Sequence, residues 1–458
     1  MEINDKYYED ISLKKSIHYE EILKAQEIVK KYIIREKRII TGGMGIDFAL
    51  KLKNHEGIYE EGALPDYDFF SYQHHIDAYE IGLWLYRKGF RGVSIINALH
   101  PSTMKVRVNF NTVADITYLP KKIFDQLPTL NYRGFVIIHP HVQMIDQHRA
   151  LSFPYENAPL ETIMGSRPQK DMKRYDILYS QYPIIQKVMQ KIELKEYTIP
   201  RELLNNQCIT GFFALNYWVD VAKKLGFQTD TNFGTSIFGD IIKYSLPIDS
   251  HGISLYSDNI KEVYNLIENV YKPEKERFYV RFLDKLPRKI ILDDRWELLD
   301  NEQKIAAHKE QEFYVANLQN IMEYLLVNFI LLMKIKGMDR GYSFCAGYLQ
   351  CRKLVTWASK KYYEVADKNK KEILKKFLPT YETFGLKNIS DSTTVRQYNF
   401  DIKNRTSISK NVKYFQPWNV YDQDMESGRI DKNKYQFYSK KSEIFNISGE
   451  ECDNFLHD

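Results

Sequence analysis

Cysteine, long apolar runs and a strong charge of either sign are all scarce in this 458-residue sequence. Its four cysteines are scattered, which excludes a disulfide framework and a Cys-x-x-Cys zinc site. His139, His141 and His148 lack a matching cysteine or carboxylate spacing, which favours turn and core positions over zinc binding. The most apolar run, 324–333, has about half of the roughly 20 residues that a membrane-spanning helix needs. With no apolar signal core at the start, the sequence predicts a soluble, intracellular protein.

Size and composition are those of a globular protein with more than one core. The length favours two or three domains. Hydrophobic residues make up 44% and charged residues 27% of the chain, which excludes a disordered or collagen-like protein. The net charge of +5 permits a polyanionic partner without requiring one.

A pair of aspartates in the stretch Leu64 to Ser71 is the first candidate for chemistry. In a strand, Asp66 and Asp68 point to one face while Tyr67 and Phe69 point into a core. Carboxylates so placed can bind the same hard cation, and such a cation prefers substrate phosphates for the rest of its shell. The alternative is a pair of solvated residues, since a chain with 60 acidic residues contains such triplets by chance.

A glycine turn precedes this stretch. Residues 20–37 have a helical period, 38–41 indicate a short buried strand, and Gly42-Gly43 then leads into a second helical stretch at 46–53. Glycines at such a junction let backbone N–H groups approach a phosphate at a helix N-terminus. A tight turn that merely needs a positive φ is the alternative.

Three strands are predicted after the aspartates, at 93–98, 104–110 and 112–118. Asp115 lies inside the last of them, between apolar neighbours. A carboxylate in an apolar strand is costly unless it is paired or binds a metal. Either a cation shared with the aspartate pair or a salt bridge to Lys105 or Arg107 would satisfy it.

Together, Gly42-Gly43, Asp66-Tyr67-Asp68 and Asp115 resemble the signature of the polymerase-β nucleotidyltransferase superfamily. The interval between the glycines and the aspartates is longer than is usual there, so the polar stretch 54–62 is interpreted as an insertion. Within the superfamily, the long interval and the sequence around the aspartates are similar to viral poly(A) polymerase catalytic subunits of poxviruses and giant DNA viruses.

That resemblance implies template-independent addition of AMP from ATP to RNA 3′ ends, as in viral mRNA polyadenylation. It implies two Mg²⁺ or Mn²⁺ ions as cofactors, and a basic helix beyond the catalytic strands that neutralises the triphosphate. Such a basic run is otherwise a solvated helix face. The expected catalytic and metal-binding residues are Asp66, Asp68 and Asp115, and the expected nucleotide-binding residues are Gly42, Gly43, Lys170 and Arg174.

The resemblance also implies partners and a location. The expected partners are ATP, an RNA 3′ end, a second copy of the chain in a homodimer, and a cap-methyltransferase-like processivity partner, with no membrane. The expected location is the cytoplasm of an infected host cell, with packaging in the virion as a further expectation. Two other functions stay open: a different RNA nucleotidyltransferase, of the tRNA-tailing or toxin type, and a non-catalytic RNA-binding scaffold.

The chain beyond Cys208 repeats the order of elements of the first part of the chain, but without the two aspartates. Residues 209–215 echo 40–46, and Gly252 to Ser257 aligns with Asp66 to Ser71. Gly252 and Ser254 then replace the two carboxylates, and Phe212 replaces the second glycine. Near the third acidic position the alignment finds Asp293 and Asp294, which are interpreted as turn residues.

The predicted fold class is therefore α+β. It comprises two nucleotidyltransferase-like domains, each a mixed sheet with flanking helices, of which the second is degenerate, followed by long helices at 303–336 and 348–377 and an irregular tail. The predicted boundaries are 1–36 for a helical lead-in, 37–194 for the catalytic domain, 195–300 for the inactive domain, 301–385 for helices that complete it, and 386–458 for an irregular C-terminal segment.

Overall fold

The computed structural model describes most of the chain between residues 18 and 378, and it divides the chain into two compact units between Gln143 and Met144. The described ranges are 18–60, 62–98, 103–119, 121–152, 166–186, 191–231, 233–234, 236–237, 241–250, 252–271, 276–279, 289–292, 296–300, 305–310, 312–335 and 341–378. The predicted tail from 386 lies outside them. The predicted domain boundaries stay predictions.

The first unit contains one mixed seven-stranded sheet with flanking helices, in the order β3-β4-β5-β2-β1-β7-β6. Its strands are β1 (Ile39–Ile40), β2 (Tyr67–Ser71), β3 (Val93–Asn97), β4 (Thr103–Val108), β5 (Asn111–Tyr118), β6 (Thr129–Tyr132) and β7 (Phe135–Ile138). Its helices are α1 (Tyr19–Glu36), α2 (Gly42–Lys51), α3 (His74–Arg87), α4 (Lys121–Gln126) and the start of α5 (Pro140–Ser152).

Strand β2 forms for the reason its alternation predicts. Tyr67 and Phe69 are buried in the core, while Asp68 between them is partly exposed. The strand lies between β1, to which it is antiparallel, and β5, to which it is parallel. The apolar side chains therefore anchor the strand, and the carboxylate is left on the other face.

The predicted insertion is held by one buried carboxylate, Asp47 of α2. Its Oδ1 accepts hydrogen bonds from the backbone N–H of Ile58 at 2.9 Å and of Tyr59 at 3.2 Å, and its Oδ2 lies 2.6 Å from Lys51 Nζ. The segment lines a cavity of about 470 Å³ together with α1 and α2. Because a buried carboxylate needs such donors, Asp47 and the insertion stabilise each other.

The second unit contains another mixed seven-stranded sheet, in the order β13-β14-β15-β12-β9-β17-β16, and a three-stranded sheet, β10-β11-β8. The strands are β8 (Leu194–Pro200), β9 (Cys208–Thr210), β10 (Ser236–Ile237), β11 (Ile241–Pro247), β12 (Ile253–Ser257), β13 (Glu276–Tyr279), β14 (Lys289–Leu292), β15 (Trp296–Asp300), β16 (Ala307–Glu310) and β17 (Phe313–Ala316). Beyond the rest of α5, the helices are α6 (Ser166–Gln181), α7 (Gly211–Lys224), α8 (Ile260–Tyr271), α9 (Leu318–Phe329), α10 (Tyr342–Glu364) and α11 (Lys368–Lys375), with a 3₁₀ turn at Arg201–Leu204 and a π-helical segment at Ile330–Ile335.

The two large sheets have the same strand order and the same directions. In each, the central short strand is antiparallel to the strand that carries the aligned stretch and parallel to the second strand of a hairpin. The register also agrees, since Ile40 pairs with Phe69 as Ile209 pairs with Leu255. That register sets Ser254 at the position of Asp68, and the predicted fold class is confirmed.

The long helix predicted at 303–336 is wrong. Strands β16 and β17 form an antiparallel hairpin within it, and α9 begins only at Leu318. Residues 306–312, Ala-Ala-His-Lys-Glu-Gln-Glu, include several good helix formers, and strand pairing overrides that local preference. The second long helix, predicted at 348–377, begins earlier, at Tyr342, and is interrupted between Glu364 and Lys368. Within the described residues, no helix is both long and apolar enough to cross a membrane.

Candidate active site

The three aspartates singled out in the sequence come together on one face of the first sheet, on two neighbouring interior strands. Asp68 in β2 is the direct partner of Asp115 in the parallel strand β5, and Asp66 lies just before β2 on the same face as Asp68. One carboxylate oxygen from each of the three lies within 4.8 Å of the others, and all three residues are partly exposed. Three acidic oxygens at this separation are a ligand set for hard divalent cations.

Asp115 forms the salt bridge to Lys105 that the sequence offered as one alternative, and it keeps one oxygen that a cation could use. Its Oδ2 accepts a hydrogen bond from Lys105 Nζ at 2.5 Å, across the antiparallel β4–β5 pair. Its Oδ1 is buried and has no hydrogen-bond partner among the described residues. A buried carboxylate oxygen without a donor is costly unless a ligand satisfies it. The residues present therefore fit a divalent cation.

The glycine turn is built against one of these carboxylates. Gly42 has a φ of +61°, and a Cβ at this position would overlap Asp68 Oδ2 and lie 2.7 Å from Asp68 Cγ. The backbone N–H of Thr41 donates to the Asp68 carbonyl at 2.9 Å, which fixes the two segments together. Only glycine combines this conformation with this approach.

Gly43 is buried in the first turn of α2, which begins at Gly42. The first N–H groups of a helix have no acceptors within the helix and carry a partial positive charge. Those of α2 begin beside Asp68, so anions that bind a cation there lie within reach of a helix N-terminus.

Lys170 and Arg174 lie on α6, one helical turn apart, in the second unit. Lys170 is exposed and Arg174 half-buried, and the buried face of the helix is formed by other side chains, among them Asp171, Tyr175 and Leu178. Their role at a triphosphate stays a prediction.

A polar cluster anchors the buried side of α6, and no pattern in the sequence indicates it. Arg352 Nη1 of α10 donates to the Tyr175 hydroxyl at 2.9 Å, and its guanidinium lies 3.5 Å from the centre of the Tyr179 ring. Tyr175 in turn shares a 2.6 Å hydrogen bond with Tyr348. This Arg352 cluster joins residues more than 170 positions apart, so only the folded chain reveals it.

His148 completes that cluster as a core residue. It is buried, with 2.9 Å and 2.8 Å hydrogen bonds to Gln319 and Tyr348. Burial lowers the pKa of His148 to about 4, so the imidazole is neutral near pH 7. His139 Nδ1 accepts from the backbone N–H of His141, as a turn residue does. Among the described residues, the aspartate triad is the single group found with metal-ligand spacing.

At the equivalent position in the second unit, hydrogen-bonded side chains occupy the place of the aspartate site. Ser254 pairs with Glu297 in the parallel strands β12 and β15, just as Asp68 pairs with Asp115. Glu297 is buried, and its Oε2 accepts from Ser254 Oγ at 2.6 Å and from the Tyr324 hydroxyl at 2.5 Å. The third acidic position therefore survives as Glu297. The predicted positions for it, 293 and 294, lie outside the described residues.

Tyr324 of α9 fills the space beside the second glycine turn. Gly211 has the same φ as Gly42, +61°, and a Cβ there would lie 2.9 Å from Tyr324 Cε1. Burial and then the Glu297 carboxylate raise the pKa of Tyr324 well above its ordinary value, so the hydroxyl stays protonated as a donor. The retained carboxylate is thus satisfied by protein donors.

Known proteins resemble the part of the chain that contains this site, and a solved structure shares the fold. Residues 27–157 match the family model of the poly(A) polymerase catalytic subunit. A protein of African swine fever virus (isolate Pig/Kenya/KEN-50/1950), assigned as a poly(A) polymerase catalytic subunit, is 38% identical over 269 residues, which are 58% of this chain and 55% of that protein. The resemblance to viral poly(A) polymerases is confirmed.

Two giant-virus proteins extend the comparison. A protein of Acanthamoeba polyphaga mimivirus with the same assignment is 28% identical over 273 residues, 56% of this chain and 45% of that protein. The crystal structure of the Megavirus polyadenylate synthase matches with a TM-score of 0.67 at 19% identity, over 96% of this chain and 88% of that one. The chain spans about half the length of the curated relatives it matches.

Proposed function

We propose that this protein is a poly(A) polymerase catalytic subunit that adds AMP from ATP to RNA 3′ ends without a template. The observation that carries the proposal is the convergence of Asp66, Asp68 and Asp115 beside the Gly42 turn. The match to the poly(A) polymerase catalytic family supports it, because residues 27–157 span all of these positions.

In this proposal Asp66, Asp68 and Asp115 hold two Mg²⁺ or Mn²⁺ ions. When bound, such ions supply charge neutralisation at the attacking and leaving oxygens of a phosphoryl transfer. The unpartnered Oδ1 of Asp115 supports a ligand role, and Lys105 holds the other oxygen and so fixes the orientation of the carboxylate.

The remaining groups bind and orient the nucleotide. Backbone N–H groups of Gly42 and Gly43 donate to phosphate oxygens at the start of α2. Lys170 and Arg174 neutralise the triphosphate, with Arg174 as a fork-shaped donor and Lys170 as a point charge. Catalysis of this kind depends mainly on positioning and electrostatic stabilisation.

The test is extension of a short 5′-labelled RNA in Mg²⁺ or Mn²⁺, with each nucleoside triphosphate supplied separately. Long ladders with ATP alone support the proposal. Short additions or a preference for another nucleotide would indicate a different nucleotidyltransferase, and binding without extension would indicate a scaffold. Asp66→Asn and Asp68→Asn should lose extension while their melting temperatures stay close to that of the wild type. Full activity in either variant would refute the assignment of the site.

Partners and location are proposals that rest on the resemblance alone. They are a homodimer, a cap-methyltransferase-like processivity partner, and action in the cytoplasm of an infected cell with packaging in the virion. Light scattering of the purified chain tests the homodimer, and a monomer at micromolar concentration would contradict it.

A further inference from the structure

The end of α10 and the whole of α11 carry a local excess of positive charge. The 17 residues from Lys360 to Lys376 contain seven lysines and three acidic residues. The segment therefore has an excess of four positive charges. A local excess of this size creates a surface potential that the total charge does not reveal.

Two tyrosines are interleaved with these lysines. Tyr363 is 83% exposed, and its ring centre lies 5.5 Å from that of Tyr362. Lys371 Nζ lies 5.5 Å from the centre of the Tyr362 ring. Lys361 and Lys370 both line one open cavity of about 390 Å³. We call Lys361, Tyr362, Tyr363, Lys370 and Lys371 the lysine–tyrosine surface.

The charge on this surface is only partly compensated. Lys361 Nζ lies 3.4 Å from a Glu364 oxygen, an exposed pair that contributes little. Lys370 and Lys371 have no carboxylate within salt-bridge distance among the described residues. Their charge is therefore available to a polyanion.

The surface is carried by a well-anchored helix. Asp367 caps α11, accepting hydrogen bonds from the backbone N–H groups of Asn369 at 2.8 Å and Lys370 at 3.2 Å. Leu374 of the same helix is fully buried. Lys370 and Lys371 thus project from a fixed backbone.

We propose that the lysine–tyrosine surface binds the single-stranded RNA substrate, a role that rests on the proposed function. Lysines neutralise the phosphates, and the exposed Tyr363 ring stacks on an unpaired base. Both interactions tolerate any sequence. A duplex has no free base face for Tyr363, and a membrane surface would need a broader apolar face than this one residue provides.

The experiment measures binding of fluorescein-labelled oligo(A) to the full chain by anisotropy, over a series of salt concentrations. Tyr363→Ala should raise the Kd roughly 5- to 160-fold, the range that corresponds to the loss of one stacking aromatic. The double variant Lys370→Gln/Lys371→Gln should weaken binding and reduce the slope of log K against log salt by about 1.4, or about 0.7 for each phosphate that is no longer neutralised. The matched control is Lys24→Gln/Lys31→Gln, which removes the same charge from exposed positions of α1 and should change neither quantity.

Three results would overturn the proposal. One is a Kd and salt slope for the double variant equal to those of the control. Another is an equal loss of affinity for duplex RNA in Tyr363→Ala, since stacking would then not be the interaction. The third is binding of anionic vesicles through these residues with no change in binding of RNA.

The assay separates this proposal from the proposed function. All surface variants should extend RNA at the wild-type rate once RNA is saturating. If the wild type binds RNA through this surface but never extends it, RNA binding by the surface is supported and the proposed polymerase activity is refuted. If the wild type extends RNA and the surface variants bind RNA with wild-type affinity, only the proposal for the lysine–tyrosine surface is refuted.

Discussion

Gly42→Ala should slow adenylate addition about 100-fold or more while leaving the protein folded. A non-glycine residue at a φ of +61° costs about 1–2 kcal/mol. The new Cβ would clash with Asp68 Oδ2 and would also lie 2.7 Å from Cγ and 2.8 Å from Cβ of the same residue, so Asp68 has to move as a whole. A displacement of about 1 Å in a catalytic group costs roughly 100-fold in rate, so we expect a loss of activity of that order or larger.

Two matched glycines separate strain from chemistry. Gly211→Ala has the same φ of +61° in the second unit, and its Cβ would meet the Tyr324 ring. Gly89→Ala has a φ of +88°, and no atom of the described part of the chain lies within 4 Å of the new Cβ. Both should lower the melting temperature, Gly211→Ala more than Gly89→Ala because the ring is buried, and both should extend RNA at the wild-type rate per folded molecule.

The assay is RNA extension at saturating ATP, normalised to the folded fraction from thermal melts. Wild-type extension by Gly42→Ala would refute the reasoning, because Asp68 would then not need its present position. Loss of extension in folded Gly211→Ala would refute the prediction that the second sheet has no catalytic role, because the second copy would then take part in the chemistry.

Three further variants test the surrounding structure. Arg352→Gln should lower the free energy of unfolding by about 1.5–3 kcal/mol, the value of a hydrogen bond to a charged group. It should also raise the KM for ATP more than it lowers kcat, because the helix that Tyr175 anchors carries the predicted phosphate-binding side chains. An unchanged KM with unchanged stability would contradict this prediction. Burial holds the pKa of His148 near 4, below its ordinary 6.5. The stabilising contribution of the neutral imidazole is therefore complete above pH 6.5, and the free energy of unfolding falls by about 3 kcal/mol as the pH drops toward 4. In urea unfolding, His148→Gln should lose less stability over this pH range than the wild type, and equal losses of stability would contradict the assignment. Tyr324→Phe removes one hydrogen-bond donor to buried Glu297. It should lower the free energy of unfolding in urea by about 1.5–3 kcal/mol and leave RNA extension unchanged. Lost extension without lost stability would be inconsistent with a purely structural role for Tyr324.

The sequence predicts the parts of the site that are local along the chain. The alternation around Asp66 and Asp68 requires one face for both carboxylates, and the short echo at 209–215 is sufficient to set the register of the second sheet. A strand period of two allows a single solution once one face is buried. The position of Asp115 follows from the same logic on a neighbouring strand.

The parts that depend on contacts distant in sequence are beyond such prediction. Glu297 escapes it because nothing local distinguishes this residue from other acids near the strand, and only the pairing with Ser254 identifies it. The Arg352 cluster joins helices far apart in the chain. The hairpin at 307–316 resembles a helix in sequence because its first strand and turn are rich in helix formers, and only the pairing of its two strands overrides that preference.

Binding of Mn²⁺ in the presence of a non-hydrolysable ATP analogue, measured by electron paramagnetic resonance on the full chain, tests the central claim most directly. The account predicts tight binding that Asp68→Asn abolishes and that Glu297→Gln leaves unchanged, since the first carboxylate site is open to cations and the second is closed by protein donors. Binding that survives Asp68→Asn, or that disappears in Glu297→Gln, would contradict the division of the molecule into one catalytic and one structural copy.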